Sequence, residues 1–278
     1  LLEGLYVTPY LNVIRSNSSS KVIYRSHNVE YEIWERNANE HTGPKKGYLN
    51  LLAKRLKRYE QDIMHKFDGI AAITEKDNQL LHEMGGKNIV VIPFGIDCTK
   101  YVGVEGEKGS LFYIGSMDWL PNINGIKWFL SEVWDELNSN SALTFQLAGR
   151  QMPQSIKENA PKRVVVHGEV EDALAFMNAY EIMVVPLFSG SGMRVKIIEA
   201  LALGKVVIAT SVALEGINYE NGKNVVVANT KQEFIQAIQD YTTKTETLNT
   251  IARAVRYLVL TNYDNQVIVN NLVTFIKQ

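Results

Sequence analysis

The chain has 278 residues, 46% of them hydrophobic, which is enough for two ordinary domains or for one and a fragment. Its 29 Lys and Arg against 30 Asp and Glu leave a net charge of −1, so no global field points to nucleic acid as a partner. The single cysteine, Cys98, excludes an internal disulfide framework and fits a reducing compartment, and no uninterrupted apolar run of about 18 residues occurs. The expectation is a cytoplasmic chain, peripheral on the inner membrane face at most.

The opening Leu1-Leu-Glu-Gly-Leu-Tyr6 reads as the middle of a structured element, as in an amino-terminally truncated chain. Val22-Ile-Tyr-Arg25, Gly69-Ile-Ala-Ala-Ile-Thr74 and Ile89-Val-Val-Ile92 read as strands, and 47–66 and 75–84 as helices. Three strands are too few for a free-standing doubly wound domain, so residues 1–97 are expected to be the tail half of one. Glu30, Glu32 and Glu35, placed on a helix, are expected mostly to face solvent. The helix 47–66 follows Lys45 and Lys46 and carries Lys54, Arg55, Lys57, Arg58 and Lys66 against Glu60 and Asp62. Leu49, Leu52, Ala53, Leu56 and Ile63 occupy another side. Such a helix either lies on anionic lipid or presents a solvated basic face, and both readings stay open. Pro93-Phe-Gly-Ile-Asp97 and the Gly/Glu/Lys stretch 103–109 read as linker and turn into a second domain, 98–278.

From Ser110 onward β-branched runs alternate with helical patterns, the signature of a doubly wound parallel sheet. Strands are expected near 110–114, 143–148, 163–167, 182–187, 206–210 and 224–228, and helices near 122–137, 171–180, 193–203 and 231–242. In open parallel sheets ligands lie outside the carboxyl ends of the strands. Those ends read Gly115-Ser116, Gly149-Arg150, His167-Gly168, Ser189 to Gly192, and Thr210-Ser211. All are small or polar, and together they point to a single crevice.

The most informative end is Val185-Pro-Leu-Phe-Ser-Gly-Ser-Gly-Met-Arg-Val-Lys-Ile-Ile-Glu199. Ser189-Gly190-Ser191-Gly192 leaves room for backbone N–H groups to approach an anion, with Ser191 as N-cap of a helix that runs to Gly204. Arg194 and Lys196 fall in its first turn, where the macrodipole disfavours cations unless an anion docks there. Lys196 and Glu199 are three apart, which places a carboxylate on the same face; a plain solvated salt bridge is the alternative.

These residues resemble the glycosyltransferases of family 4, which have the GT-B architecture of two Rossmann-like domains. The resemblance covers nearly the whole chain and rests on Ser26-His-Asn-Val-Glu-Tyr-Glu-Ile-Trp-Glu-Arg36, Ile92-Pro-Phe-Gly-Ile-Asp97, Tyr113-Ile-Gly-Ser116, and Ser189 to Glu199 followed by Ala200-Leu-Ala-Leu-Gly-Lys-Val-Val-Ile-Ala-Thr210. It implies an α/β chain made of a partial amino-terminal, acceptor-side domain (1–97) and a complete nucleotide-sugar-binding domain (98–278) with carboxyl-terminal helices. The implied reaction moves a sugar from a nucleotide-diphosphate donor to a glycan or lipid-linked acceptor, with retention of configuration, no cofactor and no bound metal. The sequence contains no Asp-x-Asp. Charge on the departing diphosphate would be offset by Arg194 and Lys196, and Glu199 would accept from the ribose hydroxyls. Gly115, Ser116 and Arg150, together with Ser189, Gly190, Ser191, Gly192 and Met193, would line the donor. His167, Gly168 and Glu169 would begin the loop that holds the base. His27 matches a first-domain histidine that orients or polarises near the donor sugar.

Two departures bear on the donor. Ser191 stands where the family often has a glutamate that contacts the sugar, and Met117-Asp-Trp-Leu-Pro-Asn122 lacks the usual Arg and Lys, which Arg194 and Lys196 would replace. A chain truncated in its first domain is expected to bind donor and turn over poorly. The alternatives are a nucleotide-sugar epimerase of the same architecture and a non-catalytic nucleotide-binding module. An oxidoreductase is a weaker match, because Val195 stands where the third glycine or alanine of Gly-x-Gly-x-x-Gly belongs and the next strand ends at Thr210.

Overall fold

The computed structural model describes all residues except Glu40, Ser191 and Lys244, and over 245–253 it describes the backbone only. The chain divides into two compact units. Unit 1 comprises Leu1–Phe94, Ser191–Met193 and Ile268–Gln278; unit 2 comprises Gly95–Gly190 and Arg194–Val267.

Unit 1 is built on a four-stranded parallel sheet in the order β1-β2-β3-β4, with β1 Leu2–Glu3, β2 Ile23–Arg25, β3 Gly69–Ala72 and β4 Ile89–Val91. The three strands read from the sequence are present, and the short β1 is added at Leu2↔Tyr24 and Glu3↔Arg25. Helices α1 (Leu11–Asn17), α2 (Glu30–Asn39), α3 (Gly43–Met64) and α4 (Glu75–Glu83) complete the amino-terminal part. One core cluster joins Tyr24, Met64, Phe67, Ile70 and Leu81, with the rings of Tyr24 and Phe67 stacked at 4.9 Å. A second cluster joins Ala71 and Ile92 to Ile268 of the last helix, α12 (Asn265–Lys277). Ile268, Leu272 and Phe275 recur at helical spacing along its apolar stripe. A Cβ on Gly69 would come within 2.7 Å of the Phe275 ring, so the helix seats directly on β3.

The join between α2 and α3 is a buried carboxyl. Glu60 of α3 is fully buried, and its two carboxylate oxygens accept from the backbone N–H groups of Glu30 (3.0 Å) and Tyr31 (2.9 Å), the first residues of α2. A distant side chain thus satisfies amides that a helix start leaves without partners. Burial opposes those two bonds and wins, pushing the Glu60 carboxyl up to about 7. Glu30 does not face solvent as expected: it is 9% exposed, because packing α2 on α3 encloses the start of the helix.

Unit 2 is a six-stranded parallel sheet in the order β10-β9-β8-β5-β6-β7. Its strands are β5 Glu107–Ile114, β6 Thr144–Ala148, β7 Val164–Gly168, β8 Tyr180–Val185, β9 Val206–Ala209 and β10 Val226–Val227. All six expected strands are found, the last cut to two residues. The expected helix at 122–137 is one rod: α5 (Leu120–Trp128), a π-helical stretch (Phe129–Trp134) and α6 (Asp135–Leu137). Then come α7 (Gln154–Glu158), α8 (Ala173–Ala179), α9 (Val195–Ala202), α10 (Lys231–Thr243) and α11 (Thr245–Asn262). Residues 182–185 of β8 and all of β9 are buried, as apolar runs without alternation predict for strands covered on both faces. β7 alternates in burial over 164–167 and forms the sheet edge. Phe129, Trp134 and Phe145 fill the core beneath the rod, with Trp134 Nε1 donating to the Lys162 carbonyl at 3.1 Å.

The raised Glu60 carboxyl has a definite consequence for unit 1. The fold holds this proton to about 7 while the unfolded chain releases it near 4.5, so unit 1 loses stability as pH rises through that window. Glu60→Gln should abolish this part of the pH dependence of urea unfolding. Glu60→Ala should lower stability by about 1–3 kcal/mol, because two buried amides lose their acceptor. An unchanged urea midpoint for Glu60→Ala would rule out the capping role.

Candidate functional site

The strand order of unit 2 makes β5 and β8 neighbours, with β6 and β7 added outward from β5 and β9 and β10 outward from β8. This is the topological switch point of a doubly wound sheet, where a crevice opens at the carboxyl ends. Gly115-Ser116 follows β5, and the loop into α9 follows β8.

At this point Lys196 turns inward from the first turn of α9. Its Nζ donates to the Tyr113 hydroxyl at 2.8 Å and lies 4.0 Å from the centroid of that ring. Burial, and then the charge of Arg194, bring its ammonium down to about 7. A Cβ on residue 115 would lie 2.8 Å from Lys196 Nζ and 2.9 Å from the Tyr113 oxygen, so glycine is needed here to leave the amine its place. Asn122 is buried and donates from Nδ2 to the Ser116 carbonyl at 2.7 Å, while its Oδ1 has no hydrogen-bond partner among the described residues.

Arg194 occupies the cap position of α9, not its first turn as expected, because the helix begins one residue later, at Val195. It is 7% exposed, with its guanidinium carbon 5.4 Å from the centroid of the Trp119 ring. Gly190 has φ +116°, and a Cβ there would come within 2.6 Å of the same indole, so both backbone and space require glycine. Two desolvated cations thus gather at a helix N-terminus, where the peptide dipoles add to their cost. A polyanion is the ligand class that reverses all three penalties.

A second, more exposed group flanks the first. Arg150 donates from Nε to the Ser116 hydroxyl at 2.7 Å and pairs with Asp118 at 3.6 Å, and Ser116 also donates to Asp118. The ends of β5, β6 and β7 are drawn together by backbone bonds, Met117 N–H to Arg150 O (3.0 Å) and Gly149 N–H to Gly168 O (2.6 Å). Glu199 does not join Lys196. It accepts from the Tyr101 hydroxyl at 2.9 Å, so the two residues of one helix face are held by different phenols. The His167 ring bonds Gln146 at 2.8 Å and packs edge-on against Phe176 at 5.2 Å. Glu169 and Ser189 are exposed; Gly192 has φ +81°, and Met193 is buried. Ser191 lies outside the described residues.

In unit 1, His27 Nε2 meets Glu3 Oε2 at 2.7 Å, and its ring lies 6.2 Å from that of Phe94. His27 lines a cavity of 540 Å³ with Glu3, Tyr6, Asn28, Glu30 and Trp34 among its walls. Sequence reasoning missed Tyr101, Tyr113, Trp119 and Asn122. Only Tyr113 carried a local signal, as the strand residue two before the glycine. Tyr101 and Glu199 are 98 positions apart and meet only in the fold.

Residues 108–244 match the family described as glycosyl transferases group 1. An uncharacterized 44.6 kDa protein in the cps region of Klebsiella pneumoniae is 23% identical over 287 residues, which cover 98% of this chain and 72% of that protein. A mutant of S. aureus TarM in complex with fondaparinux, alpha-GlcNAc-glycerol and UDP superposes with a TM-score of 0.67 at 14% identity, over 81% of this chain and 47% of that chain. Anabaena HepE in complex with UDP and glucose gives 0.67 at 15% identity, over 93% and 72%. The chain thus spans about half the length of TarM, and identities this low speak to fold alone. Residues 108–244, within unit 2, thus match the glycosyl transferases group 1, and the chain shares the GT-B fold of solved glycosyltransferases.

Proposed function

We propose that the chain transfers a sugar from a nucleoside diphosphate donor to a glycan or glycolipid acceptor, with retention of anomeric configuration and without a bound metal. In this reading unit 2 takes the donor and unit 1 the acceptor side. Lys196 carries the proposal: a half-buried lysine whose amine sits at the switch point, held by Tyr113 beneath Gly115, at the start of a helix and next to Arg194. Negative charge builds on the diphosphate as the glycosidic bond breaks, and preorganised donors in a desolvated site stabilise that charge by roughly 3–4 kcal/mol each. Lys196, Arg194 and the amides of the loop supply them here. Glu199, oriented by Tyr101, has a second oxygen for the ribose hydroxyls, and Ser116 with Arg150 borders the phosphates. His27, held by Glu3, orients the sugar side and forms no covalent intermediate. UDP is the first nucleotide to test, since HepE and TarM were each solved with it.

The basic face of α3 supports a further proposal, peripheral contact with anionic lipid. Tyr48 and Leu51 are 62% and 54% exposed, and Lys54, Arg55 and Arg58 are exposed on the next turns. Among the described residues no helix is long and apolar enough to cross a membrane. Sedimentation with anionic vesicles at low salt, lost in an Arg55→Glu/Arg58→Glu variant, is the expected result; equal recovery with neutral vesicles would refute it.

Calorimetric titration with UDP in the presence of a chelator should show saturable binding, weakened roughly tenfold to a hundredfold in Lys196→Ala, the range for losing a charged hydrogen bond. Because the free amine titrates near 7 and a diphosphate raises that value, binding above neutrality must take up a proton. Affinity should therefore fall as pH rises beyond 7, and heats measured in buffers of different ionisation enthalpy should report the uptake. Absence of proton uptake would show that Lys196 does not face the diphosphate. Conversion of the donor with no acceptor present would favour the epimerase, and inversion at the anomeric carbon in a product spectrum would refute retention.

A further inference from the structure

The cavity of unit 1 is notable for what its walls are made of. At 540 Å³ it falls in the range of roughly 300–1,000 Å³ that encloses small-molecule ligands. Glu3, Tyr6, His27, Asn28, Glu30 and Trp34 supply its chemistry, and neither Lys nor Arg is among the residues that line it. Its one basic ring, His27, is already bonded to Glu3. Glu30 is 9% exposed and accepts from the Tyr6 hydroxyl at 3.4 Å.

A helix also begins at this cavity, since Glu30 opens α2. Helix starts are ready anion sites, but the first two amides of α2 are already bonded to the Glu60 carboxylate. Among the described residues the cavity therefore presents two carboxylates, two amide side chains (Asn28 and Asn37) and the aromatic side chains of Tyr6 and Trp34, with no Lys or Arg to neutralise a phosphate or an acid. Carboxylates accept strongly from hydroxyl groups, and aromatic walls suit the apolar faces of sugar rings.

Resting on the glycosyltransferase reading, we propose that this cavity is the acceptor subsite and that it takes an uncharged saccharide terminus, selecting against phosphorylated and uronic acid acceptors. Glu3 and Glu30 accept its hydroxyls, Trp34 packs against a ring, and the same two carboxylates repel anionic competitors. A site built to bond hydroxyl groups rejects ligands that leave those groups unmatched.

Saturation-transfer NMR on the full chain with saturating UDP tests this, with maltose, cellobiose and lactose as neutral probes and glucuronic acid and a glucose phosphate as charged ones. The expected result is saturation of at least one neutral disaccharide and none of the charged probes. Trp34→Ala should weaken the disaccharide at least tenfold. Glu3→Gln, at an exposed position that does not threaten folding, should raise the relative response of glucuronic acid at least fivefold. Saturation of a charged probe at the level of the neutral ones would overturn the proposal, as would no response from any neutral disaccharide while UDP binds, or indifference to both substitutions. UDP resonances in the same spectra keep the two readings apart: loss of UDP binding strikes the glycosyltransferase reading, whereas UDP bound with no saccharide response strikes only the subsite.

Discussion

The organising interaction of unit 2 is the contact of Lys196 with Tyr113 beneath Gly115. An ammonium is strongly hydrated, and moving it into a protein interior costs several kcal/mol even after relaxation. Here a phenol offers one hydrogen bond and a ring face, and among the described residues no carboxylate pairs with it; Glu199, on the same helix, is bound to Tyr101. The helix dipole and Arg194 add to the cost. Such a group persists because the surrounding sheet is stable enough to bear it, and in the proposed reading a diphosphate relieves it.

Unit 1 offers the mirror image. Glu60 is a buried carboxyl at a helix start, where the peptide dipoles favour its charged form although burial opposes it, and both its oxygens are taken by backbone amides. One buried charge is complete within the protein and serves to join α2 to α3. In the proposed reading the other, Lys196, is completed by an anion from solution. Burial alone does not mark a functional charge; the mismatch between a buried charge and its local field does.

Much of unit 2 was legible from the pattern of residues. Unbroken apolar runs such as 182–187 fit strands covered on both faces, and the residues that end such strands belong to the ligand side of a parallel sheet. Gly115, Gly190 and Lys196 were accessible in this way. What escaped were side chains whose role depends on a distant partner: Tyr101 with Glu199, Tyr113 with Lys196, Trp119 between Gly190 and Arg194. The burial of Glu30 escaped for the same reason, since its helix faces solvent or core according to where α3 packs.

The sequence by itself determined the alternation of strand and helix, the small residues at strand ends and the placing of two cations at a helix start, because these follow from short-range sterics and local periodicity. Only the tertiary structure decided the strand order that brings β5 beside β8, the choice of Tyr113 over Glu199 as the partner of Lys196, and the seating of α12 on β3 through Phe275 and Gly69. Those outcomes depend on contacts between residues far apart in the chain, and no local pattern encodes which of several compatible surfaces will meet.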